Sequence, residues 1–196
     1  MKHLRTVHLA LTAVLTLTAT FTLAQDAPTE MTDEEKIADA MSAGPAAVAE
    51  DATIMDWPAT AGGEMTMLRE GTNGWVCYPS NPAVLEAGYK DPMCLDEVWQ
   101  GWLEALMTGS EPNIERTGVG YMFQGDGGAA NTDPAATGPT PDNAWHVSGP
   151  HLMVLTSDSS ELEGVPTDHQ NGGPYVMWAG TPYEHIMVPT GAYPDE

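Results

Sequence analysis

Between Asp91 and Thr108 the residues Leu95, Val98, Trp99, Trp102, Leu103 and Leu106 recur at steps of three and four. That spacing lines one broad face of an α-helix. Asp91 is placed to cap such a helix, Pro92 suits its first position, and Gly109 closes it. The pattern predicts a helix over about 91–108, with Cys94 in its first turn. The two tryptophans on its apolar face read as packing residues of a core.

Elsewhere the periodic segments are short. Thr32 and Glu35 have the spacing of a capping box, acids fill the first turn, and Ile37, Ala40 and Met41 form a narrow stripe. A short helix over 33–43 is expected, stopped by Gly44 and Pro45. Ile54 and Trp57 argue for extended structure over 52–57. The segments 64–69 and 74–78 flank Gly71-Thr72-Asn73-Gly74, and the Asn-Gly pair predicts a β-hairpin. Further strands are expected over 119–124, 151–156, 175–179 and 185–188.

Two stretches, 125–150 and 157–174, read as long loops, the first rich in Gly, Pro, Asn and Asp. Loops of that length inside a domain tend to be functional or disordered. Trp145 and His146 are expected to pack down, and one helical turn is expected over 159–162. Together these segments predict an α+β fold. Its sheet is mainly antiparallel, with one dominant amphipathic helix and a short N-terminal helix. A β sandwich is the alternative.

Lys2 and Arg5 precede an uncharged run from Thr6 to Phe21, and Thr22 and Ala24 occupy the −3 and −1 positions of a cut before Gln25. This is the three-part pattern of an export signal. The run is shorter than the roughly 20 residues a spanning helix needs. The expected organisation is a signal peptide over 1–24, an N-terminal segment with a short helix over 25–50, and a single α+β domain over 51–196. The expected location is the periplasm or the medium, after cleavage near Ala24, with no membrane span in the mature protein.

Cleavage removes two of the six Lys and Arg and none of the 28 acids, leaving 4 − 28 = −24. Such a charge repels nucleic acid and anionic lipid. It favours solubility in a salty medium, or else cation binding. Cys77 and Cys94 are the only cysteines, so in an oxidising compartment they are expected to form one disulfide.

No nucleophile elbow, Walker loop, dinucleotide glycine motif or His-Glu-x-x-His is present. What the chain does hold is a repeated tetrapeptide pattern, His151-Leu152-Met153-Val154 and His185-Ile186-Met187-Val188. On strands, each would present a His and a Met on one face. Imidazole and thioether together suit Cu(I), so His151, Met153, His185 and Met187 are candidate metal ligands, and copper is the sharpest cofactor expectation. Met65 and Met67 share the same spacing.

A second class of site would use His146, His151, His169 or His185 with Asp133, Asp158 or Asp168. The adjacent Asp168-His169 pair suits acid–base work near neutral pH. Asp126, Asn131 and Asp133 carry oxygen donors but lack EF-hand spacing. Trp145, Tyr175, Trp178, Tyr183 and Tyr193 are candidates for a ligand pocket. The expected function is an exported acidic binding or envelope-associated module. Its partner would be a small molecule, a cation such as copper, or an envelope protein. The alternative is a small periplasmic enzyme with a His/Asp acid–base pair.

Overall fold

The computed structural model describes residues 31–60 and 62–192. The expected signal peptide, residues 25–30 and Tyr193 lie outside the described residues. In chain order the elements are α1 (Asp33–Met41), α2 (Ala46–Ala49), β1 (Thr53–Asp56), β2 (Thr66–Arg69), β3 (Val76–Tyr78), α3 (Pro82–Glu86), β4 (Met93–Leu95), α4 (Glu97–Thr108) and β5 (Gly118–Met122). There follow β6 (Asp126–Ala130), β7 (Trp145–Ser148), β8 (His151–Leu155), 3₁₀ turns at Ser159–Leu162 and His169–Asn171, β9 (Tyr175–Met177) and β10 (His185–Pro189). Eight strands form one sheet in the order β2-β1-β3-β4-β5-β8-β10-β9, and β6 and β7 make a separate ribbon. Among the described residues, only the β1–β3 pair is parallel. The fold is thus mixed, helices beside a mostly antiparallel sheet.

The capping box at α1 is formed in both directions. Thr32 Oγ1 accepts from the Glu35 N–H, and Glu35 Oε2 accepts from the Thr32 N–H at 2.8 Å. The 3₁₀ turn at Ser159–Leu162 also lies where the sequence places it.

The expected hairpin does not form. β2 and β3 are separated in the sheet by β1, which pairs antiparallel with β2 and parallel with β3. The Asn-Gly turn chemistry is spent locally. Asn73 Oδ1 accepts from the Trp75 N–H at 3.0 Å, and its amide donates to the Val48 carbonyl at 2.8 Å. Gly71 lets this turn press onto the start of β1, where a Cβ would stand 2.2 Å from the Thr53 nitrogen.

The long helix starts later than expected. Asp96, not Asp91, caps α4, accepting from the Trp99 N–H at 3.0 Å, and its second oxygen accepts from the Val119 N–H at 2.8 Å. Residues 93–95 form β4, so Cys94 lies on a strand. Its register puts Cys94 directly opposite Cys77, and the two form the expected disulfide. The loop expected over 125–150 contains β6 and β7, paired through Ala129–His146 and Ala130–Trp145. Glycine and alanine in β6 give little strand signal.

The two faces of the sheet are covered differently. On one, Ala40 of α1 and Ala49 of α2 pack with Ala43, Ala52, Ile54 and the disulfide. On the other, α4 lies over Leu95, Met122, Met153, Leu155, Tyr175, Met177 and Met187.

Candidate functional site

Alternation along β5, β8 and β10 buries one side of each strand and leaves the other half-buried. The buried side carries Met122, His151, Met153, His185 and Met187. The register decides which of these meet. Met153 stands directly opposite Met187, and Met122 directly opposite His151. Met177 stands directly opposite His185. Gly120 faces Met153 across the next ladder, and a Cβ there would be 2.9 Å from the Met153 terminal methyl.

The structure therefore brings the two expected methionines together and sets their histidines at opposite ends. His151 pairs with Pro189, four residues beyond His185, which at strand rise is about 13 Å along the sheet. Each histidine has its own methionine neighbour on the flanking strand, Met122 of β5 for His151 and Met177 of β9 for His185. Met65 packs at the edge of this core, while Met67 is exposed on β2.

Three histidines are tethered in the same way. Nδ1 of His151 lies 2.7 Å from the Gly149 carbonyl, Nδ1 of His185 3.0 Å from the Tyr183 carbonyl, and Nδ1 of His146 3.2 Å from the Ala144 carbonyl. A carbonyl can only accept, so Nδ1 donates in each neutral ring and Nε2 keeps its lone pair. Burial pushes the His185 pKa down to about 4, against the opposing pull of the Tyr183 carbonyl. Burial also lowers His151, with Asp126 and the Gly149 carbonyl working against it. The His185 ring is wedged among Trp99, Trp102 and Trp178, with centroids 5.2, 5.5 and 5.2 Å away and all three edge-on.

Of these histidines, His185 borders a cavity of about 210 Å³ between α4 and the sheet. Its wall includes Met93, Met122, Met153, Met177 and Met187, the three tryptophans, His185 and two carboxylates, Asp91 and Asp126. No Lys or Arg lines it. Burial pushes Asp91 up to about 7, with Asp126 and Asp39 adding to the rise and the Asn81 N–H opposing it. Among the described residues, the buried Trp99 and Trp102 N–H groups, His151 Nε2, Ser148 Oγ and Asn131 Oδ1 have no hydrogen-bond partner.

The cations of residues 25–196 are engaged elsewhere. Lys36 pairs with Asp56, Lys90 with Asp39 and Arg116 with Glu97, while Arg69 donates to the Ala49 and Ala52 carbonyls.

The acid–base candidates take a different arrangement. His146 and His169 stack with centroids 3.9 Å apart, and the buried Tyr175 hydroxyl donates to His146 Nε2 at 3.0 Å. Asp168 caps the second 3₁₀ turn through the Gln170 N–H at 2.9 Å and makes no bond to the His169 ring. Asp133 and Asp158 likewise accept from the Ala135 and Ser160 N–H groups. Asn131 donates to the Thr167 carbonyl and Asp126 accepts from the Gly128 N–H.

Among the described residues, no three of His, Cys, Asp and Glu gather as a metal-holding group. No described helix is long and apolar enough to cross a membrane.

Sequence reasoning missed Asp91, Met93, Met122 and Met177, and considers Asp126 only as an oxygen donor without EF-hand spacing. Asp91 reads from the sequence as a helix cap. Met122 and Met177 end strands with no motif around them, and only the strand register brings them beside the histidines. Comparison with protein-family models, with curated proteins and with solved structures finds no match, so the functional reading rests on these residues.

Proposed function

We propose that this chain is an exported, non-catalytic binding module that takes a small cation into the cavity beneath α4. The observation that carries the reading is the charge asymmetry of that cavity. Two carboxylates stand on a mostly apolar, sulfur-rich and aromatic wall, with no Lys or Arg among the described residues that line it. A buried carboxylate is costly unless paired, and the elevated Asp91 pKa expresses that cost. An entering cation would offset it, and the indole faces and thioethers add polarisable contacts. The intramolecular disulfide fits an oxidising compartment.

The test is native mass spectrometry and thermal melting of the purified protein against Na⁺, Ca²⁺, Zn²⁺, Ag⁺, Cu⁺ and tetramethylammonium. At least one is expected to add its mass and raise the melting temperature. Asp91→Asn together with Asp126→Asn should remove that response. A panel with no binder, or binding untouched by the double substitution, refutes the reading.

The alternative, a small periplasmic enzyme, draws on the contact between Tyr175 and His146 and the stacked His169. It is less well supported, because the acid adjacent to His169 is occupied in a turn cap.

A further inference from the structure

His151 is 1% exposed, yet its Nε2 has no hydrogen-bond partner among the described residues. A buried acceptor left unpaired carries an uncompensated desolvation cost, which a bound ion would relieve. The other ring nitrogen is tied to the Gly149 carbonyl at 2.7 Å. That tether fixes the ring in the orientation and tautomer of a metal-ligating histidine.

Two thioethers are within reach. Met122 is the direct cross-strand partner of His151, and Met153 follows two residues on along the same face. Both are buried. Directly opposed residues on an antiparallel pair have Cβ atoms about 5 Å apart, and residues two apart on a strand are about 7 Å apart. Long, unbranched methionine side chains can close such gaps onto one ion.

We propose that the cation is Cu(I), held where Met122, His151 and Met153 meet on the β5–β8 rungs. The inference rests on the cation-binding reading above and names its ion. One imidazole and two thioethers form a neutral, soft donor set, which suits Cu(I) and not the oxygen-seeking ions. The charge also balances. Asp126 acts electrostatically on His151 and lines the cavity beside Met122, so a monovalent ion would meet one carboxylate and form a neutral pair. The other end of the rung is a poorer site, because the His185 ring is already enclosed by three indoles.

The experiment uses the full chain exported to the periplasm, purified without oxygen and titrated with Cu(I) against a chromogenic Cu(I) chelator. X-ray absorption on the loaded wild-type protein provides the second readout. One equivalent is expected, with one nitrogen and two sulfur scatterers around copper. His151→Ala and Met122→Leu should each weaken binding at least about tenfold, more than His185→Ala and Met177→Leu, while Met67→Leu on the exposed side of β2 leaves it unchanged.

The absorption spectrum needs no variant, so it decides even if a substitution misfolds. A shell without sulfur overturns the proposal, as does loss of binding confined to the His185 and Met177 variants. If Cu(I) fails to bind but another cation is held through Asp91 and Asp126, the copper assignment falls and the cation-binding reading stands. If no cation is held, both fall, and a buried water joining His151 Nε2 to its surroundings explains the unpaired nitrogen.

Discussion

The two faces of the sheet are built from opposite materials. Under α1 and α2 the side chains are mostly alanine, with one isoleucine and the Cys77–Cys94 bridge, and all seven core residues are at most 1% exposed. Under α4 they are methionine, tryptophan, tyrosine and leucine, around a cavity with two carboxylates and the unpaired Trp99 and Trp102 N–H groups. Small residues let a helix approach closely and leave no room for adjustment. Flexible thioethers fill irregular space and tolerate change. The difference separates a face that holds the fold together from one able to accommodate a guest.

The largest expected effect lies on the tight face. Replacing Cys77 and Cys94 by Ala should cost about 3 kcal/mol of stability, seen as a lower urea midpoint. Cation binding at the opposite face should survive. Loss of binding in a folded variant would break the distinction between the faces.

Acid and base should pull the cavity face in opposite directions. Asp91 has a folded pKa of about 7 against 3.8 for the free group, so the folded state holds its proton more tightly. Its contribution is fully present below pH 3.8 and is lost as pH rises to about 7, at up to about 1.4 kcal/mol per pH unit. His185 has a folded pKa of about 4 against 6.5, so its contribution is present above pH 6.5 and lost as pH falls toward 4. Between pH 4 and 6.5 the two slopes offset each other. Asp91→Asn should therefore unmask a steeper acid destabilisation, measured by denaturant titration across pH 4–8. An unchanged profile would show that Asp91 is not held protonated.

The smallest effects compare packing directly. Ala40→Leu on the tight face should cost about 1–3 kcal/mol through overpacking, whereas Met187→Leu should cost less than about 1.5 kcal/mol. Thermal melting of the pair checks the order, and equal costs would mean that the cavity face is as rigid as the other.

Local signals were legible in the sequence where a residue acts within a few positions of itself. The Thr32–Glu35 capping box and the strand alternation that buries His151 and Met153 on one side of β8 are of this kind. The disulfide was legible because only two cysteines exist. Other features turned on competition between equally good local signals. Asp91 and Asp96 could each cap a helix, and pairing of β4 with both β3 and β5 favours the later start. The Asn73-Gly74 turn suits a hairpin, but β1 occupies the space between its arms. The cavity was the least legible feature, because Asp126, Met122 and Met177 become neighbours of the histidines only through cross-strand register.

The Lys90–Asp39 ion pair places an exposed lysine between the two bridged cysteines. Lys36, Arg69, Lys90 and Arg116 are the only Lys and Arg from 25 to 196, so a trypsin-like protease has few places to cut. Cleavage after Lys90 puts Cys77 and Cys94 on separate peptides that only their sulfurs hold together. Cleavage after Arg116 leaves β5 to β10, with both His-x-Met strands, in one uncut piece. One digestion, read with and without reductant, would report the redox state of the tight face and keep the candidate copper ligands together on a single fragment.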